Sequence, residues 1–299
     1  GTALHVAILN QNIDVIQRLL SLPGIDVNRV DKEGKTPFKI ACNMHNDEIV
    51  KILLANENVD TNILSEDGKF LLISAISKNN IELAKLLIKH PKTDINLGMN
   101  ERTALIEAVD KNLIDIVSLL ISNDKFDPEE SLIDYAFFIS FGKVPGLLIN
   151  IKSLDVNYTE YKKTLNQLTY VTTLTNAIES NLNEKIDLII NHHSFDKDKS
   201  DLSAALFKAI EKNNYSAFRK LLKFVNNYDD ISSVFTILNN NDSWEDLFLE
   251  ILAFNEKNGK FIDFTKNLKN EKSFFTIIPF PCCKIQEIVQ SYLKNGADP

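Results

Sequence analysis

This 299-residue sequence has little of what marks several large functional classes. It has three cysteines, two of them adjacent (Cys282 and Cys283), too few for a disulfide framework and typical of a reducing compartment. We therefore expect a cytoplasmic protein. No run of Lys or Arg exceeds two residues and the formal net charge is −8, which argues against a nucleic-acid partner. The longest apolar stretch, 274–283, is about half of a membrane span, so we expect no signal peptide and no membrane insertion.

What the sequence does contain is a repeat with a period of 33 or 34 residues. Ala7, Ala41, Ala75 and Ala108 each close a similar six-residue run, such as the one at 36–41, and are 34, 34 and 33 residues apart. An apolar residue follows each alanine nine positions later, and a leucine follows twelve positions later. Nineteen residues past each alanine stands an aspartate, in Asp-Val-Asn, Asp-Thr-Asn, Asp-Ile-Asn and Asp-Pro. Three markers in one register predict an array of stacked helical units.

Each unit alternates two short helical patterns with a break between them. In the second unit Thr36 can cap a helix whose first turn holds Pro37, and that helix should run to about Asn43. The break falls four residues after the alanine, where a helix that ends in the left-handed conformation normally has Gly. The chain has only nine Gly, and Asn, which tolerates this conformation next best, occupies four of six such positions.

These runs resemble the ankyrin signature Thr-Pro-Leu-His-x-Ala in units of about 33 residues. The resemblance implies an all-α, ankyrin-type helical repeat solenoid with a concave binding face. Residues 1–127 contain regular repeats, and 128–299 contain degenerate repeats that continue the same solenoid, about nine units in all. Because the chain starts and stops inside motifs, we expect it to be part of a longer array.

The pattern is irregular between residues 128 and 172. Only 28 residues separate Ala136 from the preceding alanine, and the next unit carries about seven extra residues between Asn157 and Thr173. Units in such an array stabilise one another only through neighbours, so a short unit followed by an insertion should divide the array there.

Candidate chemistry is sparse. His193, His192 and Asp196 have a metal-like composition, but adjacent helical residues should point apart and no further ligand is near in sequence. The run at 34–36, Gly-Lys-Thr, imitates the end of a phosphate-binding loop, yet Arg29 stands where that loop needs Gly. The cysteines have neither Cys-x-x-Cys spacing nor an identifiable partner base. We therefore expect no enzyme, no metal, no cofactor and no small-molecule substrate.

The resemblance also implies site residues. His5, at the histidine of the signature, should hydrogen-bond loop backbone. The concave groove of the family is lined by loop tips and by the residues after the alanine. Carried over, these are Lys32, Glu33, Lys35, Asn43 and Met44; Glu66, Asp67, Lys69, Ser77 and Lys78; and Asn100, Arg102, Asp110 and Lys111.

The fifth unit differs from the others at the equivalent positions. Phe138 and Ile139 stand there, with Tyr135 one helical turn earlier. Two readings are open: an aromatic cluster that anchors a partner, or core residues of a rotated short unit.

The resemblance implies a non-catalytic scaffold that binds a partner protein through the concave face. The alternative is a regulatory or targeting ankyrin segment of a larger enzyme or channel, whose functional domain lies outside this chain.

Overall fold

The computed structural model describes residues 1–44, 46–163 and 168–225, and the chain divides into two compact units, 1–154 and 155–299. Over the described ranges, fourteen helices form seven consecutive pairs. The first unit contains α1 (Ala3–Leu9) and α2 (Ile13–Leu20), α3 (Pro37–Asn43) and α4 (Asp47–Leu54), α5 (Leu71–Ser77) and α6 (Ile81–Lys89), α7 (Ala104–Asp110) and α8 (Ile114–Ile121), and α9 (Ile133–Ile139) and α10 (Val144–Leu148). The second unit contains α11 (Thr173–Glu179) and α12 (Asn183–Asn191), and α13 (Leu202–Glu211) and α14 (Tyr215–Leu222).

Strand content is small. In the first unit β1 (Gly98–Met99) pairs antiparallel with β2 (Arg102–Thr103). In the second, β3 (Thr159–Lys163) pairs antiparallel with β4 (Leu168–Thr172). The fold is mostly helical, as predicted, and the inserted residues between Asn157 and Thr173 include this second hairpin. The division after Leu154 lies inside the irregular stretch 128–172.

The break between the helices of a pair has the left-handed backbone that the asparagines predict. Asn79, Asn112, Asn181 and Asn213 have φ between 53° and 58°, and Gln11 takes the same conformation at 52°. The N-caps are equally local: Asn12, Asn46, Asn80 and Asn214 each accept a hydrogen bond from a first-turn amide of the second helix. Polar side chains thus satisfy an exposed N–H group where four of the second helices begin, whereas α8, α10 and α12 have no side-chain cap.

Apolar side chains at the repeat spacing form the core of each unit. Leu53, Leu87 and Leu120 are at most 1% exposed. Leu19, at the same position of the first pair, is half-buried, and Ile16 is fully buried there instead. Helices α4, α6 and α8 contact one another in succession, and α5 contacts α7. In the second unit Ala177, Ala209 and Phe218 are fully buried, with α11 on α13 and α12 on α14. Each helix pair therefore buries its apolar face against a neighbouring pair.

The Asp-x-Asn marker has a structural cause that we call the asparagine ladder (Asn28, Asn62 and Asn96). The amide of Asn62 donates to the Lys92 carbonyl oxygen at 2.9 Å and accepts from the Asp94 N–H at 2.9 Å. Asn28 and Asn96 bind the loops that follow them in the same two-bond way, at 2.7 to 3.0 Å. Within the second unit Asn157 binds the carbonyl of Ser194 and the N–H of Asp196. Each marker asparagine therefore binds the backbone of the following loop through one carbonyl and one N–H group.

Several sequence expectations lie outside the described residues. They are the helix break at His45, the two last repeat units after Val225, and the apolar stretch with Cys282 and Cys283.

Candidate protein-binding surface

Three loop tips in the first unit carry the candidate binding residues, and each tip is held by its own hydrogen bonds. In the first, the Asp31 N–H donates to the Lys35 carbonyl, and Gly34 takes φ 77°. The Asp31 carboxylate accepts from the N–H groups of Lys35 and Glu33. These bonds lower the pKa of Asp31, and the bond from the Lys35 N–H has the largest effect. The aspartate is therefore a fixed anion inside the turn.

The second tip repeats this arrangement around Asp67. The Ser65 N–H donates to the Lys69 carbonyl at 2.8 Å, and Gly68 takes φ 74°. Asp67 accepts hydrogen bonds from the hydroxyls of Ser65 and Ser74, which lower its pKa. Because Ser74 lies in α5, this aspartate ties the tip to its own first helix.

The third tip is the β1–β2 hairpin, whose two turn residues, Asn100 and Glu101, both have left-handed backbone at φ 53° and 61°. Arg102 reaches from it to the last turn of α7, where its Nη1 lies 3.2 Å from Asp110 Oδ2 and 3.6 Å from Oε2 of the buried Glu107. The first two tips are thus turns with a left-handed glycine, whereas the third is a hairpin turn with two left-handed residues, and all three are closed by hydrogen bonds.

In two of the helix pairs, a tip residue contacts a residue near the end of the first helix that follows it. Lys69 Nζ donates to Ser77 Oγ at 3.1 Å, the same eight-residue spacing as Arg102 with Asp110. In the tip before α3 the pattern differs, because Lys35 pairs with Glu33 at 2.8 Å, and Glu33 is the main cause of its raised pKa. A weaker contribution to that pKa comes from Glu66 of the next tip, so neighbouring tips interact electrostatically.

We call the fourteen predicted residues from Lys32 to Lys111 the tip surface. All fourteen are accessible: Lys35, Asn43, Met44, Lys69 and Ser77 are half-buried and the other nine are exposed. Sequence reasoning missed Glu107 and Ser74, which anchor Arg102 and Asp67. Their positions look like ordinary helix positions, so no sequence signal separates them.

The aromatic residues of the fifth pair are less accessible than an anchor requires. Phe138 is 4% exposed, and its ring stacks on Tyr135 with centroids 6.2 Å apart. Tyr135 and Ile139 are half-buried. Of the two readings of this cluster, the burial of Phe138 favours core, so this ring is not offered to a partner in the observed conformation.

The histidines considered above, His5, His192 and His193, and the nearby Asp196 make local structural contacts. His5 is 2% exposed and its Nε2 lies 3.0 Å from the Lys35 carbonyl oxygen, the backbone contact that the ankyrin resemblance implied. The rings of His192 and His193 do not point apart as expected; their centroids are 4.2 Å apart because the helix has ended at Asn191 and His192 has extended backbone. Asp196 caps a turn by accepting from the Asp198 N–H.

Within the described residues there is no group of three or more His, Cys, Asp or Glu side chains that could hold a metal ion. The same part of the chain contains no helix long and apolar enough to cross a membrane.

Sequence reasoning also missed the exposed tyrosines of the β3–β4 hairpin, Tyr161 and Tyr170. The alternation of Thr159, Tyr161 and, on the other strand, Tyr170 and Thr172 is a period-two strand signal that could have found them.

Comparison with known proteins gives one family match. The model "Ankyrin repeats (3 copies)" matches residues 1–63 and 45–131. The SMC5-SMC6 complex localization factor protein 1 of Bos taurus is 51% identical over 45 residues, 15% of this chain and 4% of that protein. The I-Kappa-B like protein C2 of Microplitis demolitor bracovirus is 39% identical over 46 residues, 15% of this chain and 25% of that protein. The matched segments thus span a quarter or less of these curated relatives.

Among solved structures, an ankyrin repeat domain from Acinetobacter baumannii AYE is similar to this chain. The TM-score is 0.43 at 18% identity, over 62% of this chain and 95% of that domain.

Proposed function

Residues 1–131 of this chain are ankyrin repeats, and we propose from this premise that the protein is a non-catalytic scaffold that binds a partner protein through the tip surface. Proteins with ankyrin repeats generally mediate protein–protein interaction. The ankyrin resemblance implies that the tip surface corresponds to the concave face that the family uses. The free thiol of Cys42 fits a reducing, cytoplasmic setting for this interaction.

The observation that carries the proposal is the internal bonding of the three tips. Each tip is closed by backbone hydrogen bonds. In two of them an aspartate side chain, Asp31 or Asp67, accepts further hydrogen bonds that stabilise the turn. A surface that is ordered before binding loses less conformational entropy when a partner docks. The tips therefore support recognition without a folding step.

Charge on the tip surface supports a protein partner with its own mixture of charges. The surface has six cationic and four anionic side chains, a surplus of two positive charges on a chain whose net charge is −8. Several of these charges are paired already, as Arg102 is with Asp110. A partner gains by satisfying the remainder, such as exposed Lys32 and Lys111, which favours an acidic patch on the partner.

The experiment begins with capture of partners by the intact protein and measurement of the affinity of the partner obtained. The double variant Lys32→Glu/Lys111→Glu reverses two exposed charges of the tip surface, one in the first tip and one at the end of α7. The matched control, Lys51→Glu/Lys89→Glu, makes the same charge change in the last turns of second helices, also at exposed positions.

We expect the tip variant to weaken binding at least tenfold and the control to change it less than twofold, with equal melting temperatures. Equal losses in the two variants would contradict the proposal, because they would indicate a general charge effect. If the full-length gene product contains a catalytic or membrane domain, the alternative of a regulatory or targeting segment gains instead. That residues 128–299 continue the same repeat array remains part of this proposal.

A further inference from the structure

The β3–β4 hairpin exposes a pair of tyrosines. Tyr161 and Tyr170 lie directly opposite each other in the antiparallel pair, and 70% and 56% of their surfaces are exposed. Tyr161 is the most exposed large apolar or aromatic side chain in the described part of the chain. Exposed aromatic rings are enriched among residues that dominate binding energy at protein interfaces, and this pair is far from the tip surface in sequence.

The tyrosines form one wall of a groove. The loop before α13 also lines this open groove, whose volume is about 380 Å³. Its lining includes the two tyrosines, Thr159, Asp198, Lys199 and Asp201. We call this the tyrosine groove.

A hydrogen-bond chain fixes one side of the tyrosine groove. The Tyr170 hydroxyl donates to Asp201 Oδ2 at 2.8 Å, while Asp201 Oδ1 accepts from the Ala204 N–H at 3.0 Å and so caps α13. The bond to Asp201 raises the pKa of Tyr170, so this phenol is protonated at neutral pH. The ring of Tyr170 is therefore held in place beside a carboxylate.

The groove offers both aromatic rings and carboxylates to a guanidinium group. Its lining holds the carboxylates of Asp198 and Asp201 and the ammonium group of Lys199. The Asp198 side chain is 82% exposed and forms a loose ion pair with Lys197, whose Nζ lies 3.8 Å from Asp198 Oδ1. An exposed ion pair of this kind contributes little to stability, so a cation of better geometry can replace it. Aromatic faces attract cations, and the guanidinium group of arginine stacks on rings and binds carboxylates through paired N–H groups better than an ammonium group does.

We propose that the tyrosine groove binds an arginine side chain of a partner protein, with its guanidinium group stacked on the tyrosine pair and hydrogen-bonded to Asp198 in place of the loose ion pair with Lys197. This site lies in the second compact unit and does not depend on the proposed role of the tip surface.

The test uses the intact chain and fluorescein-labelled peptides, Gly-Arg-Gly-Arg-Gly and Gly-Lys-Gly-Lys-Gly, in anisotropy titrations at physiological salt. We expect the arginine peptide to bind more tightly than the lysine peptide. Tyr161→Ala should weaken the arginine peptide by about 2- to 5-fold, the effect of an exposed cation–π contact, and reduce the preference for arginine. Asp198→Asn should weaken it similarly.

The matched control is Asp14→Asn, which removes the same charge from an exposed position of α2 and should leave the affinity unchanged. Because Tyr161 is exposed, Tyr161→Ala should retain the parent melting temperature. If it does not, the test rests on the affinities of Asp198→Asn and Asp14→Asn for the arginine peptide: only Asp198→Asn should bind it more weakly than the parent. Equal binding of both peptides, unaffected by Tyr161→Ala, would overturn the proposal. So would the absence of arginine-peptide binding at millimolar concentration, or Tyr161-dependent binding of a ten-residue thymidine oligonucleotide in its place.

Discussion

Removal of one rung of the asparagine ladder should destabilise the first unit measurably. In Asn62→Ala the amide that donates to the Lys92 carbonyl and accepts from the Asp94 N–H is lost, both at 2.9 Å. A typical hydrogen bond contributes about 0.5–1.5 kcal/mol to stability. Water can reach these groups, because Asn62 is only half-buried, so the lower part of that range applies. We therefore expect a loss of about 1–2 kcal/mol in the free energy of unfolding.

The assay is thermal unfolding followed by circular dichroism at a fixed scan rate. In a chain of this size a loss of 1 kcal/mol lowers the melting temperature by about 2–4 °C, so Asn62→Ala should melt about 2–8 °C lower. The matched control is Asn58→Ala. Asn58 contributes its backbone carbonyl to the ladder, as the acceptor from Asn28, and that carbonyl survives the substitution.

The control should therefore melt within about 1 °C of the parent. If Asn62→Ala and Asn58→Ala melt together, the ladder bonds do not stabilise the array. The Asp-x-Asn marker would then have to be explained by turn formation alone.

Further predictions concern the core, the helix break and two ionisable groups, half-buried Cys42 and buried Lys185. Leu53→Ala and Leu87→Ala should each cost about 2–5 kcal/mol in denaturant unfolding by opening a cavity between helix pairs; parent-like stability would show that the register is wrong. Asn79→Ala should cost about 1 kcal/mol at its left-handed backbone whereas Asn79→Gly should be neutral, and equal effects would contradict the conformational argument. Burial raises the pKa of Cys42 to about 12, so in folded protein at pH 8 iodoacetamide should leave the Cys42 peptide unmodified by mass spectrometry, and modification before unfolding would refute this. Burial lowers the pKa of Lys185 to about 7, so between pH 7 and about 10 the unfolded chain binds more protons and the free energy of unfolding should rise with pH. Lys185→Met should lack that part of the rise, and an identical pH profile would show that the lysine titrates normally.

The sequence determined the features that depend on one residue and its near neighbours. The left-handed breaks follow from Asn79 and its equivalents, because few other residues accept that backbone conformation without steric cost. The cap at Thr36 and the burial of Leu53 were likewise readable, since caps and helical periodicity are local patterns.

Tertiary structure decided everything that required two distant residues to meet. The marker Asn62 was visible as a repeat, but its partners Lys92 and Asp94 lie one unit away, and only stacking brings their backbone groups to the amide. Phe138 could be read as anchor or as core, because aromatic side chains serve both and burial depends on packing. The tyrosine groove exists because pairing of β3 with β4 places Tyr161 beside Tyr170, and the turn before α13 then supplies Asp201. Local conformation follows from short-range sterics and hydrogen bonds, whereas a binding site is a set of side chains whose distances are fixed only when the units pack.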